Sequence, residues 1–110
     1  MLFRSITLAK RARSVDPLLV QPLLTLGFAS DISNRPLVAR GYYREAVRSQ
    51  PKNPATLLAA GLFELAHGCA RQAYAYLEPF TELDPKARPE DGPIAYRRAL
   101  RLVNTGKPTC

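Results

Sequence analysis

Apolar residues recur at three- and four-residue spacing along most of the chain, and proline interrupts the recurrence at intervals. Leu2, Phe3, Ile6, Ala9 and Ala12 fall on one helical face, which predicts a helix over Leu2 to about Val15. A second runs from near Leu18 to Ser30, with Pro22 in its first turn, where a missing N–H costs nothing. Ser33-Asn34-Arg35 reads as a turn, and Pro36 opens a helix that ends near Ser49. Asn53 ahead of Pro54 marks the next start, because Asn accepts one of the orphan N–H groups of a first turn. That helix stops at His67-Gly68, glycine being suited to the left-handed C-cap. Its partner spans about Ala70 to Leu83, with a kink expected at Pro79. Residues 86–92 are charged, non-periodic and punctuated by Pro and Gly, so they read as a loop. Pro93 then opens a last helix to about Asn104, with Ala95, Tyr96, Ala99, Leu100 and Val103 inward and Arg97, Arg98 and Arg101 outward. The chain is predicted to be all-α.

The interruptions are periodic. Asp16-Pro17, Gln50-Pro51 and Asp84-Pro85 are spaced by 34 residues, and a period of this size marks stacked helix–turn–helix units. Gly27 and Gly61 share the interval, as do Leu23 and Leu57, Ala39 and Ala73, and Lys52 and Lys86; Tyr43 is matched by Leu77 and Ala46 by Phe80. This set of positions resembles the tetratricopeptide repeat (TPR). The resemblance covers residues 20–53 and 54–87 as two repeats. Before them lies a half-repeat, 1–19, with only the second helix of a pair; after them come a capping helix, 93–104, and a tail, 105–110. It implies a short helical-repeat solenoid in one domain, 1–104. Glycine inside a helix costs about 0.5–1 kcal/mol relative to alanine, so Gly27 and Gly61 point to helices passing too close for a Cβ. Ala39, Ala46 and Ala73 serve the same contact, and Phe80 should fill a larger gap beside Pro79.

The resemblance assigns ligand binding to the concave face, lined by the first helix of each pair. Its inward positions are Gln21, Leu24, Phe28, Asp31 and Ile32, then Ala55, Leu58, Leu62, Leu65 and Ala66. The best-known members of the family hold a C-terminal carboxylate there with Lys, Asn and Arg; this chain has Leu24, Phe28, Leu58 and Leu62 instead. The departure argues for an apolar groove that accepts an amphipathic helix or an apolar extended segment of a protein or peptide partner. Leu24, Phe28, Ile32, Leu58, Leu62 and Leu65 are the candidate contacts, against the plainer reading that these side chains pack between helices. A narrower resemblance rests on Ser49-Gln50-Pro51-Lys52-Asn53-Pro54-Ala55-Thr56, Gly61-Leu62-Phe63-Glu64-Leu65, Cys69-Ala70, Ala73-Tyr74 and Val103-Asn104-Thr105-Gly106 before Cys110. It is similar to repeat tails on bacterial membrane proteins of the O-antigen ligase and polymerase kind. That implies a soluble accessory tail without the catalytic membrane domain.

Charge adds an alternative. Lys and Arg number 16 against 9 Asp and Glu, for a net charge of +7. Arg4, Lys10, Arg11 and Arg13 make the first predicted helix basic with no acid, opposite Leu2, Phe3 and Ile6. Such a helix can meet an anionic membrane surface, a nucleic acid or an acidic partner, or it can be solvated surface. Nucleic acid is disfavoured, because no aromatic interleaving, groove-reading motif or phosphate loop accompanies the charge. The face of Leu2–Val15 without a partner helix leaves self-association open as well.

Candidate chemistry changes little. Glu64, His67 and Cys69 are close in sequence, but one acid, one His and one Cys fall short of a usual metal set, and no base and orienting group support a Cys69 nucleophile. His67 reads as a helix C-terminal residue that complements the dipole. Glu78, Glu82 and Asp84 read as a solvated face. Neither an enzyme, a metal nor a cofactor is expected, and Cys69 and Cys110 are expected to be free thiols. No apolar run approaches the ~18 residues of a membrane span, and the opening is too short and too early-charged for a signal peptide. A cytoplasmic or membrane-associated protein is the expectation.

Overall fold

The computed structural model describes residues 20–106 and Cys110. The helix expected over Leu2–Val15, the half-repeat 1–19 and the basic set Arg4, Lys10, Arg11 and Arg13 lie outside the described residues. The described elements are helices, with no strand among them. The chain divides into two compact units, Met1–Pro51 and Lys52–Cys110.

In the first unit, α1 (Val20–Ile32) and α2 (Pro36–Ser49) form a helical hairpin. Val20, Leu23 and Ala46 make a buried cluster, against which Leu24 and Tyr42 pack. A Cβ on Gly27 would meet ring carbons of Tyr43 at 2.9–3.1 Å, so the glycine is the socket into which the buried tyrosine fits. The turn is a Schellman closure. Asn34 takes φ 62°, its N–H donates to the Asp31 carbonyl at 3.0 Å, and the Arg35 N–H donates to the Ser30 carbonyl at 2.9 Å.

The second unit repeats the device. α3 (Pro54–Ala66) starts at Asn53, whose Oδ1 accepts the Ala55 N–H at 3.0 Å, and α4 (Ala70–Leu83) returns beside it. Gly68 at φ 79° closes the turn, with its N–H on the Leu65 carbonyl and the Cys69 N–H on the Glu64 carbonyl at 2.8 Å. A Cβ on Gly61 would lie 2.6 Å from Cγ and Cδ2 of Leu77. Helical structure in α4 continues across Pro79. The segment expected to be plain loop contains a 3₁₀ turn, Pro89–Asp91, in which the Asp91 N–H reaches the Arg88 carbonyl at 2.8 Å and Pro89 presets the helical φ. Gly92, at φ 132°, then lies against the Phe80 ring, where a Cβ would collide, so Phe80 fills its gap beside Gly92. α5 (Pro93–Asn104) packs on α4. Ala73, Leu77 and Ala99 are the centre of this unit's core, with Leu58, Leu65, Tyr74, Ala95 and Tyr96 around them.

The cysteines require a correction. Cys69 and Cys110 form a disulfide, with Cα atoms 4.9 Å apart across a sequence separation of 41. The Gly68 closure puts Cys69 at the N-cap of α4, buried to 2% exposure. Nothing local in the sequence signals its partner, because Cys110 stands 41 residues further on, past α4, the 3₁₀ turn and α5.

Candidate partner-binding cleft

The predicted groove residues divide between the two units. In the first, Leu24 is half-buried in its hairpin core, whereas Phe28 and Ile32 are exposed by 61% and 58%. Leu37 and Val38, at the start of α2, are exposed too. In the second unit, Leu58 is half-buried against the Ala73–Leu77–Ala99 core.

Leu62 is exposed, and Leu65, although it also packs on that core, lines a cleft with it. Together with Ala66 they form one wall of an open cleft of about 640 Å³, and Ile94, Ala95 and Arg98 form the other. Helical spacing explains the first wall: 62, 65 and 66 lie on one face of α3, turned away from Leu57, Ala60, Gly61 and Glu64, which are buried. The second wall exists because the Gly92 turn aims α5 along α4 with Ala99 inward, which leaves Ile94 56% exposed. Glu90, on the 3₁₀ turn, is a carboxylate on the rim.

Arg98 also belongs to a second depression, about 360 Å³, that it lines with Ile94, Arg97 and Arg101. All three arginines are exposed, and α5 carries no carboxylate. In the sequence the α5 wall and its arginines read as the solvated outside of a cap, and only the packed structure places Ile94 and Arg98 opposite Leu62. The available signal was Ile94, an aliphatic residue away from the buried side of its helix.

Titratable groups nearby are tied to structure. Tyr74 stacks on Tyr96, with ring centroids 5.8 Å apart. Its hydroxyl is pushed up to about 12, first by a hydrogen bond with Glu78 and then by burial and the Glu78 charge, all of which favour the neutral phenol. Burial, reinforced by the Asp31 carboxylate, likewise raises Tyr43. His67 caps α3 and lies 4.5 Å from the Phe63 ring. Among the described residues no group of three or more His, Cys, Asp or Glu could hold a metal ion, and no helix is long and apolar enough to cross a membrane. The described lining of the cleft is apolar apart from the Glu90 carboxylate and the Arg98 guanidinium, and Arg97 and Arg101 continue the charge into the neighbouring depression. No protein-family model matches this chain, and no curated protein matches it in sequence.

Proposed function

We propose that the chain is a TPR-type helical-repeat module that binds a segment of a partner protein without catalysing a reaction on it. The 34-residue recurrence of the glycine sockets and Schellman turns supports the repeat reading. The observation that carries the binding reading is the cleft between α3 and α5, with Leu62 44% and Ile94 56% exposed at its mouth. Aliphatic side chains lining a concave site cost free energy in water that an apolar face of a partner recovers, at ~25 cal/mol per Å² covered. An amphipathic helix with anchors at i, i+3, i+4 and i+7 is the form of ligand such a groove takes.

The test uses a labelled peptide of about 18 residues, with leucines at that spacing and glutamines elsewhere, titrated with the whole chain by fluorescence anisotropy. Binding should saturate, and Leu62→Glu with Ile94→Glu should weaken it by about tenfold or more, the equivalent of losing one buried aliphatic contact. Leu58 is left intact because it supports the core. Circular dichroism of the variant should match the parent. Equal binding by the two proteins would remove the cleft as the site.

A further inference from the structure

From the arginine row on α5 we infer the character of the partner: the cleft takes an acidic amphipathic helix, whose carboxylates engage Arg98, Arg97 and Arg101 while its apolar residues enter between Leu62 and Ile94. This rests on the cleft being the binding site.

Three observations lead there. First, apolar and cationic groups occupy one continuous surface, since Arg98 lines both the apolar cleft and the depression it shares with Arg97 and Arg101. Second, helical arithmetic puts Arg97, Arg101, Ile94, Arg98 and Leu102 within an arc of about 140°, at about 100° per residue, on the side away from the buried Ala99. Ile94 and Leu102 are exposed with the arginines, so the strip carries an aliphatic anchor at each end of the arginine row along the sequence. Third, the charge is unbalanced. α5 has no carboxylate, and among the described cleft residues Glu90 alone opposes the arginines. An acidic helix answers both demands at once, because carboxylates three or four residues apart flank its apolar stripe. Guanidinium groups also bind carboxylates through paired N–H donors, which gives the contact direction as well as charge.

The probe set is the glutamine peptide above and two siblings of the same leucine pattern, with glutamate or lysine on the polar face. At low ionic strength the acidic peptide should bind about five- to tenfold more tightly than the neutral one, the sum of a few exposed charge pairs, and the basic peptide more weakly. The gap should narrow as salt is added. Because the whole chain is basic, charge reversal is done in two places. Arg97→Glu, Arg98→Glu and Arg101→Glu together should invert the order of the peptides. Arg44→Glu, Arg48→Glu and Arg71→Glu change the net charge equally at exposed positions elsewhere and should leave the order intact. A milder Arg→Gln set at 97, 98 and 101 should abolish the preference if the reversed protein folds poorly.

Three peptides bound equally, with binding lost in the Leu62→Glu, Ile94→Glu protein, would overturn the acidic partner and keep the cleft. No binding of any peptide would overturn both. Equal effects of the two reversals would also sink the assignment, by making the preference one of total charge. Vesicles of phosphatidylglycerol serve as the last arm: retention that depends on Arg97, Arg98 and Arg101, without discrimination among peptides, would assign the row to a lipid surface and refute a protein partner.

Discussion

Adding one methyl group at Gly61 should destabilise the protein, although alanine is the better helix former. The Cβ would sit 2.6 Å from two carbons of Leu77, about 1 Å inside ordinary carbon–carbon contact. Leu77 is fully buried, so it cannot swing into solvent, and overpacking of this kind costs about 1–3 kcal/mol. The gain in helix propensity offsets about 0.5–1 kcal/mol; because two Leu77 carbons are met at 2.6 Å the cost falls in the upper half of the overpacking range, about 2–3 kcal/mol, which leaves a net loss of about 1–2.5 kcal/mol. Gly41 is the control within the same fold. It is exposed in the middle of α2, and a methyl added there would have nothing within 4 Å, so Gly41→Ala should gain the full 0.5–1 kcal/mol or so. Gly27→Ala should fall between them, because its contacts of 2.9–3.1 Å are with a ring tip that can slide. Urea midpoints followed by far-ultraviolet circular dichroism read the order directly, and melting temperatures should move by about 4–8 °C for each kcal/mol. A cycle with Leu77→Ala adds a second check: the methyl refills part of the hole, so the double variant should lose less than the two single variants summed. A Gly61→Ala protein as stable as its parent, or raised as Gly41→Ala is raised, would refute the socket.

Other expectations follow from single features. Reducing the disulfide releases a 41-residue constraint and should cost about 4 kcal/mol on the chain-entropy estimate; the urea midpoint with and without dithiothreitol measures it, and Cys69→Ser with Cys110→Ser should be indifferent to reductant. Thr56→Val should stabilise by about 1 kcal/mol, since the hydroxyl is fully buried with no hydrogen-bond partner among the described residues; an unchanged or lowered urea midpoint would contradict that. Asn53→Ala should lose about 1 kcal/mol with its cap, seen as a lower melting temperature. Tyr74 ionises in the fold near 12 rather than 10, so its contribution is complete below pH 10 and fades as pH rises toward 12. Ultraviolet absorbance titration of the phenolates should lose a component near pH 12 in Tyr74→Phe.

Helix positions were legible in the sequence because the signals were local and redundant. Asn53-Pro54 and His67-Gly68 each state their boundary with two residues, and α2, α3, α4 and α5 occupy the spans expected within a residue or so. Gly27 and Gly61 were legible as close approaches for an energetic reason, since only a contact justifies glycine there. What escaped was non-local. The joining of Cys69 to Cys110 depends on where α5 leaves the chain, and no spacing rule carries that. Of the groove candidates, Leu62 and Leu65 line the cleft, and Leu65 and Leu58 pack on the core; one apolar helix face serves both purposes, and the sequence cannot divide it. The opposing wall was hidden behind the arginines of α5, which look like solvated charge until Ile94 is found exposed among them.

The disulfide also changes what it means to cut this protein. The segment from Cys69 to Cys110 is a covalent ring holding α4, the 3₁₀ turn and α5, and Lys86 stands exposed in the connection between the two helices. A trypsin-like protease that cleaves the Lys86–Ala87 bond severs the backbone without separating the products. Both pieces stay joined through the sulfur bridge, and α5 remains tethered beside α4. A nick there leaves the mass of the chain intact on a non-reducing gel and releases two fragments only after reduction. In an oxidising setting the module outlasts a break in its own chain, and loss of the sulfur–sulfur bond converts that break into loss of a helix.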